Sequence, residues 1–129
     1  MPTLDSEIRG FVVGDYFEVE RDVSGIPNPT TLTKAWLTVK AREDDEDVDA
    51  IFLIDITTSY VTGKGQIVDN GAGDGVGTVR FEVTSVNSVK MTGAKVYYFD
   101  IQVLTSAGFV FTPERGTISG YKQITRATS

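Results

Sequence analysis

Carboxylates are the most numerous groups in this chain that could do chemistry, because it has 18 Asp and Glu residues but no His and no Cys. It therefore lacks the commonest general base and transition-metal ligand, and it has no thiol for catalysis or disulfides. A pair of carboxylates could serve a glycosidase. Asp55, Glu82 and Asp100 lie on predicted strands, but the sequence does not place two of them across a cleft. Asp100 interrupts an apolar strand and is expected to face outward beside a Lys or Arg. We predict no catalytic residues and no enzymatic activity.

Two acidic stretches invite a calcium-binding interpretation. The run at residues 43–49 lacks the fixed ligand spacing and the glycine turn of a calcium site, and it is better explained as a solvated loop tip that discourages pairing with other chains. The stretch "DNGAGDG" (Asp69–Gly75) fits neither the EF-hand nor the calcium-binding nonapeptide pattern. Its glycines favour positive φ angles at a hairpin turn. We predict no metal site and no cofactor. The carboxylates of the first run are Glu43, Asp44, Asp45, Glu46, Asp47 and Asp49.

Four aromatic side chains, Trp36, Tyr60, Tyr98 and Tyr121, could form a platform for a sugar or for a protein partner. An alternative is that Trp36 and Tyr98 close the rim of a β-sandwich. Sequence alone leaves both interpretations open.

The overall charge argues against nucleic-acid and membrane partners. The net charge is −6 and the isoelectric point is about 4.5, whereas affinity for nucleic acids and anionic lipids comes from Lys and Arg. The longest apolar run is far shorter than the ~20 residues of a membrane span. The first ten residues show no basic region followed by an apolar region, so we expect no secretory signal.

Short segments with β-branched and aromatic residues, separated by turn residues, predict an all-β fold. Alternation of apolar and charged residues predicts strands at Phe11–Val23, around Leu37 and around Phe81, and Gly14 is expected to bend the first of them or form a bulge. The run "AIFLIDI" (residues 50–56) is predicted to be buried on both faces. We further predict a hairpin around residues 63–65, a helical turn near residues 85–91, and a hairpin pairing residues 96–104 with 109–112. A final strand is expected near residues 117–126. The predicted core is Phe17, Leu37, Phe52, Ile54, Phe81, Phe99, Ile101 and Phe111.

These elements predict an antiparallel, seven- to eight-stranded β-sandwich of immunoglobulin-like type. The length of 129 residues suggests one domain. We assign residues 1–8 to an N-terminal arm, 9–126 to the sandwich and 127–129 to a C-terminal tail.

The order of these features resembles the small β-sandwich at the N-terminus of tailed-phage baseplate upper proteins and related short virion proteins. The similar stretches are "GDYFEVERDV", "TKAWLTVKAREDDEDVDAIF", "GVGTVRFEVTSVNSVKMTGAKVYYFDIQV" and the closing "GFVFTPERGTI". The last two are the most informative, since they combine a strand, a helical turn, a strand ending in "YYFDIQV", a hairpin and a Thr-x-x-x-Gly-x-Ile return. The likeness extends from about residue 9 to residue 126.

The resemblance implies a non-enzymatic structural protein of a bacteriophage virion, made in the host cytoplasm and then incorporated into the particle. Its role would be capsid decoration, or that of a tail, baseplate or fibre adaptor. It would bind other virion proteins, and copies of itself, in many symmetric contacts. A carbohydrate-binding β-sandwich module is the alternative. The residues we assign to a possible interface lie in the N-terminal arm, a proline-rich loop and the exposed aromatic set: Met1, Pro2, Thr3, Leu4, Ile26, Pro27, Pro29, Trp36, Tyr60 and Tyr121.

Overall fold

The computed structural model describes residues 3–42, 50–91 and 96–121, and it is an all-β sandwich of two sheets, as the sequence predicts. The helical turn predicted near residues 85–91 is present as one short helix. In chain order the elements are β1 (Thr3–Ile8), β2 (Phe17–Val23), β3 (Leu32–Lys40), β4 (Phe52–Thr57), β5 (Gly65–Asp69), β6 (Gly77–Val83), α1 (Ser85–Ser88), β7 (Tyr97–Thr105) and β8 (Val110–Ile118).

One sheet has five strands in the order β1-β8-β7-β3-β4, and the other has three in the order β2-β6-β5. Neighbouring strands are antiparallel except β1 and β8, which are parallel and place Ser6 opposite Gly116 and Ile8 opposite Ile118. The expectation of an entirely antiparallel sandwich with a separate arm at residues 1–8 therefore differs from the structure. Because β1 and β2 lie in different sheets, no tight turn fixes the direction of β1, and the rest of the chain supplies the long connection that a parallel pair needs.

The core lies between the sheets and follows the period-2 alternation of the strands. Of the eight predicted core residues, six are buried, and the other two, Phe17 and Phe111, are partly buried and pack against the core. Along β3, Ala35, Leu37 and Val39 point inward. The predicted core is thus confirmed.

Two expectations about β4 and the turn that follows it differ from the structure. The run at residues 50–56 is not buried on both faces, because each sheet of the sandwich is covered on its inner face only, and Leu53 points outward and is 44% exposed. The turn at residues 63–65 does not join two strands of one sheet. The tight turn itself is present, closed by the antiparallel bridge between Val61 and Gly65, but it carries the chain from β4 in the larger sheet to β5 in the smaller one, where Gly65 pairs with Phe81.

Strand β8 is longer than the sequence suggests. It continues from Val110 through Pro113 and Gly116 to Ile118. Of the strand expected near residues 117–126, residues 117 and 118 are the end of β8, Tyr121 forms an isolated bridge with Val12, and residues 122–126 lie outside the described residues. Pro113 falls where the register with β7 shifts, at a bulge that does not require its missing N–H. Gly116 allows β1 to approach, since a Cβ atom there would lie 1.9 Å from the Ser6 carbonyl oxygen.

Candidate interaction surfaces

The predicted interface residues do not form one surface. Met1 and Pro2 lie outside the described residues, and Thr3 and Leu4 belong to β1. Pro27 and Pro29 are exposed in the loop between β2 and β3.

The assignment of Ile26 to an interface is wrong, because this residue is 4% exposed and belongs to the core. Its backbone N–H donates to the Gly75 carbonyl oxygen at 3.1 Å. This bond ties the β2–β3 loop to the β5–β6 loop and carries the side chain inward, where its Cδ1 atom lies against Gly71 and Gly77.

The four aromatic residues are also distributed over separate surfaces. Trp36 and Tyr98 share the outer face of the five-stranded sheet, but Trp36 pairs with Gln102 on β7, whereas Tyr98 pairs with Lys40 on β3. This offset of four residues separates them by roughly 13 Å at ~3.3 Å per residue. Tyr60 lies beside the smaller sheet, and Tyr121 forms a bridge with Val12. A continuous aromatic platform is therefore absent from these four residues.

Trp36 is the centre of a polar and aromatic surface that we call the Trp36 face: Lys34, Trp36, Leu53, Asp55, Lys64 and Gln102. Strands β4, β3 and β7 hold most of it, with Trp36 opposite Asp55 on one side and Gln102 on the other. The Lys34 ammonium lies 5.4 Å from the centroid of the Trp36 ring, within cation–π range. The side chain of Trp36 is half-buried, so its ring is held in place while part of it stays accessible.

Two lysines neutralise Asp55 at the border of this face. The Lys64 Nζ atom lies 3.0 Å from Asp55 Oδ1, and the Lys34 Nζ atom lies 3.9 Å from Oδ2. The hydrogen bond from Lys64 lowers the pKa of Asp55 below its ordinary value, with smaller help from the charge of Lys34. Asp55 is therefore ionised at neutral pH and acts as a fixed anion between two cations.

The three carboxylates considered for glycosidase chemistry are not brought together. Asp55 on β4 and Asp100 on β7 are separated by β3 and offset by two residues, which puts their Cα atoms roughly 12 Å apart on strand spacings of ~4.8 and ~3.4 Å. Glu82 lies on the other sheet.

A carboxylate pair that the sequence did not reveal lies on the outer face of the three-stranded sheet. Glu18 on β2 is directly opposite Glu82 on β6. The Glu82 N–H donates to the Lys64 carbonyl, away from β2, so the two glutamates form a non-hydrogen-bonded pair, the closer of the two antiparallel arrangements. Like charges placed directly opposite destabilise a sheet by up to about 1 kcal/mol.

Hydroxyl and amide donors offset this repulsion. Tyr16 donates to Glu18 and Tyr60 donates to Glu82, each at 2.7 Å, and the Gly63 N–H donates to Glu82 at 2.9 Å. The Tyr60 hydroxyl, followed by the Gly63 amide, lowers the pKa of Glu82, and the same bond raises the pKa of Tyr60. A general acid of a glycosidase pair needs a raised pKa. The lowered pKa of Glu82 therefore does not fit the role of general acid in such a pair.

A second polar group missed by sequence reasoning joins the two sheets. Glu114 on β8 is buried, and its Oε2 atom accepts from Ser6 Oγ at 2.7 Å and from Arg21 Nε at 3.0 Å. Beside it, a cleft of about 280 Å³ opens between β1 and β2. The stacked rings of Phe11 and Phe17, whose centroids are 4.0 Å apart, lie in its wall together with Ile8, Val19, Arg9 and Arg21.

Within residues 3–42, 50–91 and 96–121, no group of three or more acidic, His or Cys side chains is arranged to hold a metal ion. The acidic run at 43–49 lies outside these residues. In "DNGAGDG" the carboxylates act in turns: Asp69 accepts from the Gly71 N–H and Asp74 from the Val76 N–H. All three of its glycines have positive φ, as predicted: Gly71, Gly73 and Gly75. In the same described ranges, no helix has the length and apolar character needed to cross a bilayer.

No protein-family model matches the chain, and a comparison with curated proteins finds no match.

Proposed function

We propose that this protein is a non-enzymatic structural component of a tailed-phage virion that acts by binding neighbouring virion proteins. The proposal places it in a capsid-decoration or a tail, baseplate or fibre-adaptor role. Its support is the resemblance of residues 9–126 to small phage β-sandwiches, together with an exposed surface of the kind that protein partners use.

The fold within this proposal is immunoglobulin-like. In that architecture one sheet contains the neighbouring strands G, F and C, and the other contains B, E and D. The orders β8-β7-β3 and β2-β6-β5 correspond to these sets, with β4 as an added edge strand and β1 paired along the last strand. The short helix α1 then occupies the connection between the fifth and sixth strands of the seven-strand core.

The observation that carries the binding function is the Trp36 face. Tryptophan is the residue type most enriched among binding hot spots, above all where it is held in place and surrounded by polar groups. Trp36 has both properties, since Lys34 lies over its ring and strands β4 and β7 hold its flanks. Preorganised side chains lose little freedom on binding. Two lysines and one aspartate give the face a net positive charge in a chain of net charge −6, so we assign it an acidic protein surface as partner.

Sugar binding is the second candidate, because Trp36 is flanked by the hydrogen-bonding side chains of Asp55 and Gln102. A sugar would stack on the indole ring. The Lys34 ammonium occupies that stacking position on one side of the ring, and this favours the protein partner.

The test is incorporation of a Trp36→Ala variant into particles of the phage that carries this gene. We expect normal folding by circular dichroism and at least a tenfold loss of incorporation, the range of a hot-spot residue of about 2 kcal/mol. Phe109→Ala is the matched control, because Phe109 is an exposed aromatic residue on the β7–β8 turn. Unchanged incorporation of Trp36→Ala would contradict the assignment of the face. Binding of the wild-type domain to a glycan array, lost in Trp36→Ala, would establish the sugar-binding alternative instead.

A further inference from the structure

Strand β2 forms an open edge of the three-stranded sheet, since among residues 3–42, 50–91 and 96–121 only β6 pairs with it. The backbone N–H of Glu82 points toward β5, so its cross-strand partner Glu18 directs its own N–H and C=O away from β6. Glu20 and Asp22 follow Glu18 at intervals of two residues, so their backbone N–H and C=O groups also point away from β6. These three residues therefore present their backbone groups to the open side, in the spacing that an added strand would use.

The side chains of the same three residues form a regular acidic row. Glu18, Glu20 and Asp22 alternate with inward-pointing neighbours and lie exposed on the outer face of the sheet. They repeat every second residue, about 6.7 Å along the strand, which is the repeat of any extended chain placed beside them. Glu82 adds a fourth carboxylate directly opposite Glu18, while Arg80 lies directly opposite Glu20 and Thr78 donates to Asp22.

The inward side of the same edge is the cleft between β2 and β1. Phe17, Glu18, Val19 and Arg21 of β2 line it from one side. Glu7 and Ile8 of β1 line it from the other, together with Arg9, Gly10 and Phe11 just after β1, so that apolar side chains lie among charged ones. A strand added to β2 would direct alternate side chains over the acidic row and the remaining ones toward this cleft of about 280 Å³. A cleft of this size accommodates small or medium apolar side chains beside the Phe11–Phe17 stack.

We propose that β2 binds an extended segment of a partner protein as an additional strand, with Lys or Arg at alternate positions and apolar residues between them. The basic side chains lie over Glu18, Glu20 and Asp22, and the apolar ones enter the cleft. Addition of a strand to a sheet edge combines main-chain hydrogen bonds for affinity with alternate side chains for specificity. This site is separate from the Trp36 face, so it does not depend on the function proposed above.

Charges on an edge strand ordinarily prevent pairing with other chains. Here they prevent it selectively, because neutral or acidic strands are rejected while a basic strand gains a matching row of charges. The Arg21 Nη1 atom donates to the Glu20 carbonyl oxygen at 3.0 Å. A carbonyl has two lone pairs, so this bond leaves one acceptor position for the incoming strand.

The test uses seven-residue peptides of alternating Lys and Val, with an alternating Glu and Val peptide as control, titrated into ¹⁵N-labelled protein. We expect the Lys–Val peptide to shift amide signals of β2 and of the cleft residues, and the Glu–Val peptide to leave them unchanged. N-methylation of the alternate peptide amides that face β2 should weaken binding about tenfold for each lost hydrogen bond, whereas N-methylation of the other set should have little effect. Antiparallel addition places the Lys amides toward β2, and parallel addition the Val amides.

A variant of the protein provides the reciprocal test. Glu20→Pro removes an N–H that faces the open side, a position where an edge strand tolerates proline, and Glu20→Ala removes the same charge but keeps the N–H. We expect Glu20→Pro to bind the Lys–Val peptide at least tenfold more weakly than Glu20→Ala does. If Glu20→Pro does not fold, the N-methylated peptides decide the question. Equal effects of the two N-methylated sets, or equal binding of the Glu–Val peptide, would overturn the proposal. Concentration-dependent shifts of the β2 signals without peptide would assign the edge to a second copy and would also overturn it.

Discussion

The contact between Arg21 and Glu114 links the two sheets, so removing one partner at a time shows how strongly a polar group holds this sandwich together. The Arg21 Nε and Glu114 Oε2 atoms are 3.0 Å apart, and the two side chains are 32% and 10% exposed. Ser6 on β1 donates to the same Glu114 oxygen. The perturbations are Arg21→Met, Glu114→Leu and the double substitution.

The expected cost of each single substitution follows from what it leaves behind. Glu114→Leu removes the acceptor of two hydrogen bonds and leaves the Arg21 guanidinium beside an apolar interior. A hydrogen bond to a charged group contributes about 1.5–3 kcal/mol, and breaking a fully buried ion pair costs about 3–5 kcal/mol. Because Arg21 reaches water, we expect about 2–3 kcal/mol for each single variant. Replacing both partners by apolar side chains of similar volume should cost only about 1 kcal/mol.

Urea unfolding of the wild type, the two single variants and the double variant forms a double-mutant cycle that measures the coupling. The reasoning predicts a double variant more stable than either single variant. Single variants that lose less than about 0.5 kcal/mol, or a double variant whose loss equals the sum of the two, would refute it. The contact between Arg21 and Glu114 would then contribute little to holding the sheets together.

Three further predictions concern β1, Asp55 and Tyr16. Gly116→Ala should lower the free energy of unfolding by about 1–3 kcal/mol and speed amide exchange in β1, since the new Cβ atom would lie 1.9 Å from the Ser6 carbonyl oxygen. Asp55→Asn should cost less than about 1 kcal/mol at pH 7 and reduce the loss of stability in acid. The Lys64 bond lowers the pKa of Asp55, so this pair stabilises the fold above its ordinary pKa of 3.8 and is lost as the pH falls through the lowered value. The Glu18 bond raises the pKa of Tyr16 to about 12 from 10.0, so this bond should hold below pH 10 and be lost as the pH rises through about 12. An NMR titration of labelled tyrosine should show this, and Glu18→Gln should return the pKa toward 10.0.

Each of these predictions has a matched control. Thr117→Ala, next to Gly116, should leave amide exchange in β1 unchanged. If amide exchange in β1 of Gly116→Ala also equals that of the wild type, the close approach of β1 to Gly116 is contradicted. Lys64→Met should reproduce the acid behaviour of Asp55→Asn, and an unaltered acid transition in both would show that the pair does not stabilise the fold. Glu20→Gln should not move the titration of Tyr16. Ionisation of Tyr16 near pH 10 in the wild type would contradict the hydrogen bond to Glu18.

The sequence alone predicted the strands whose apolar residues alternate. In β2, β3 and β6 the period-2 pattern assigned Val19, Leu37 and Phe81 to the interior, and all three are buried. The helical turn α1 and the β7–β8 hairpin were also predicted from local residues, because turns and alternation depend on neighbours in the chain.

Tertiary structure decided every feature that depends on which strands become neighbours. Glu18 and Glu82 are 64 positions apart in sequence, and Ser6 and Glu114 are 108 apart. Their contacts require β6 to lie between β2 and β5, and β1 to join the free edge of β8. Leu53 was expected to be buried because an apolar run has the same composition whether one or both faces of its sheet are covered. Local pattern fixes which face a side chain takes, whereas strand order fixes what covers that face, and strand order is set by long-range packing of the whole chain.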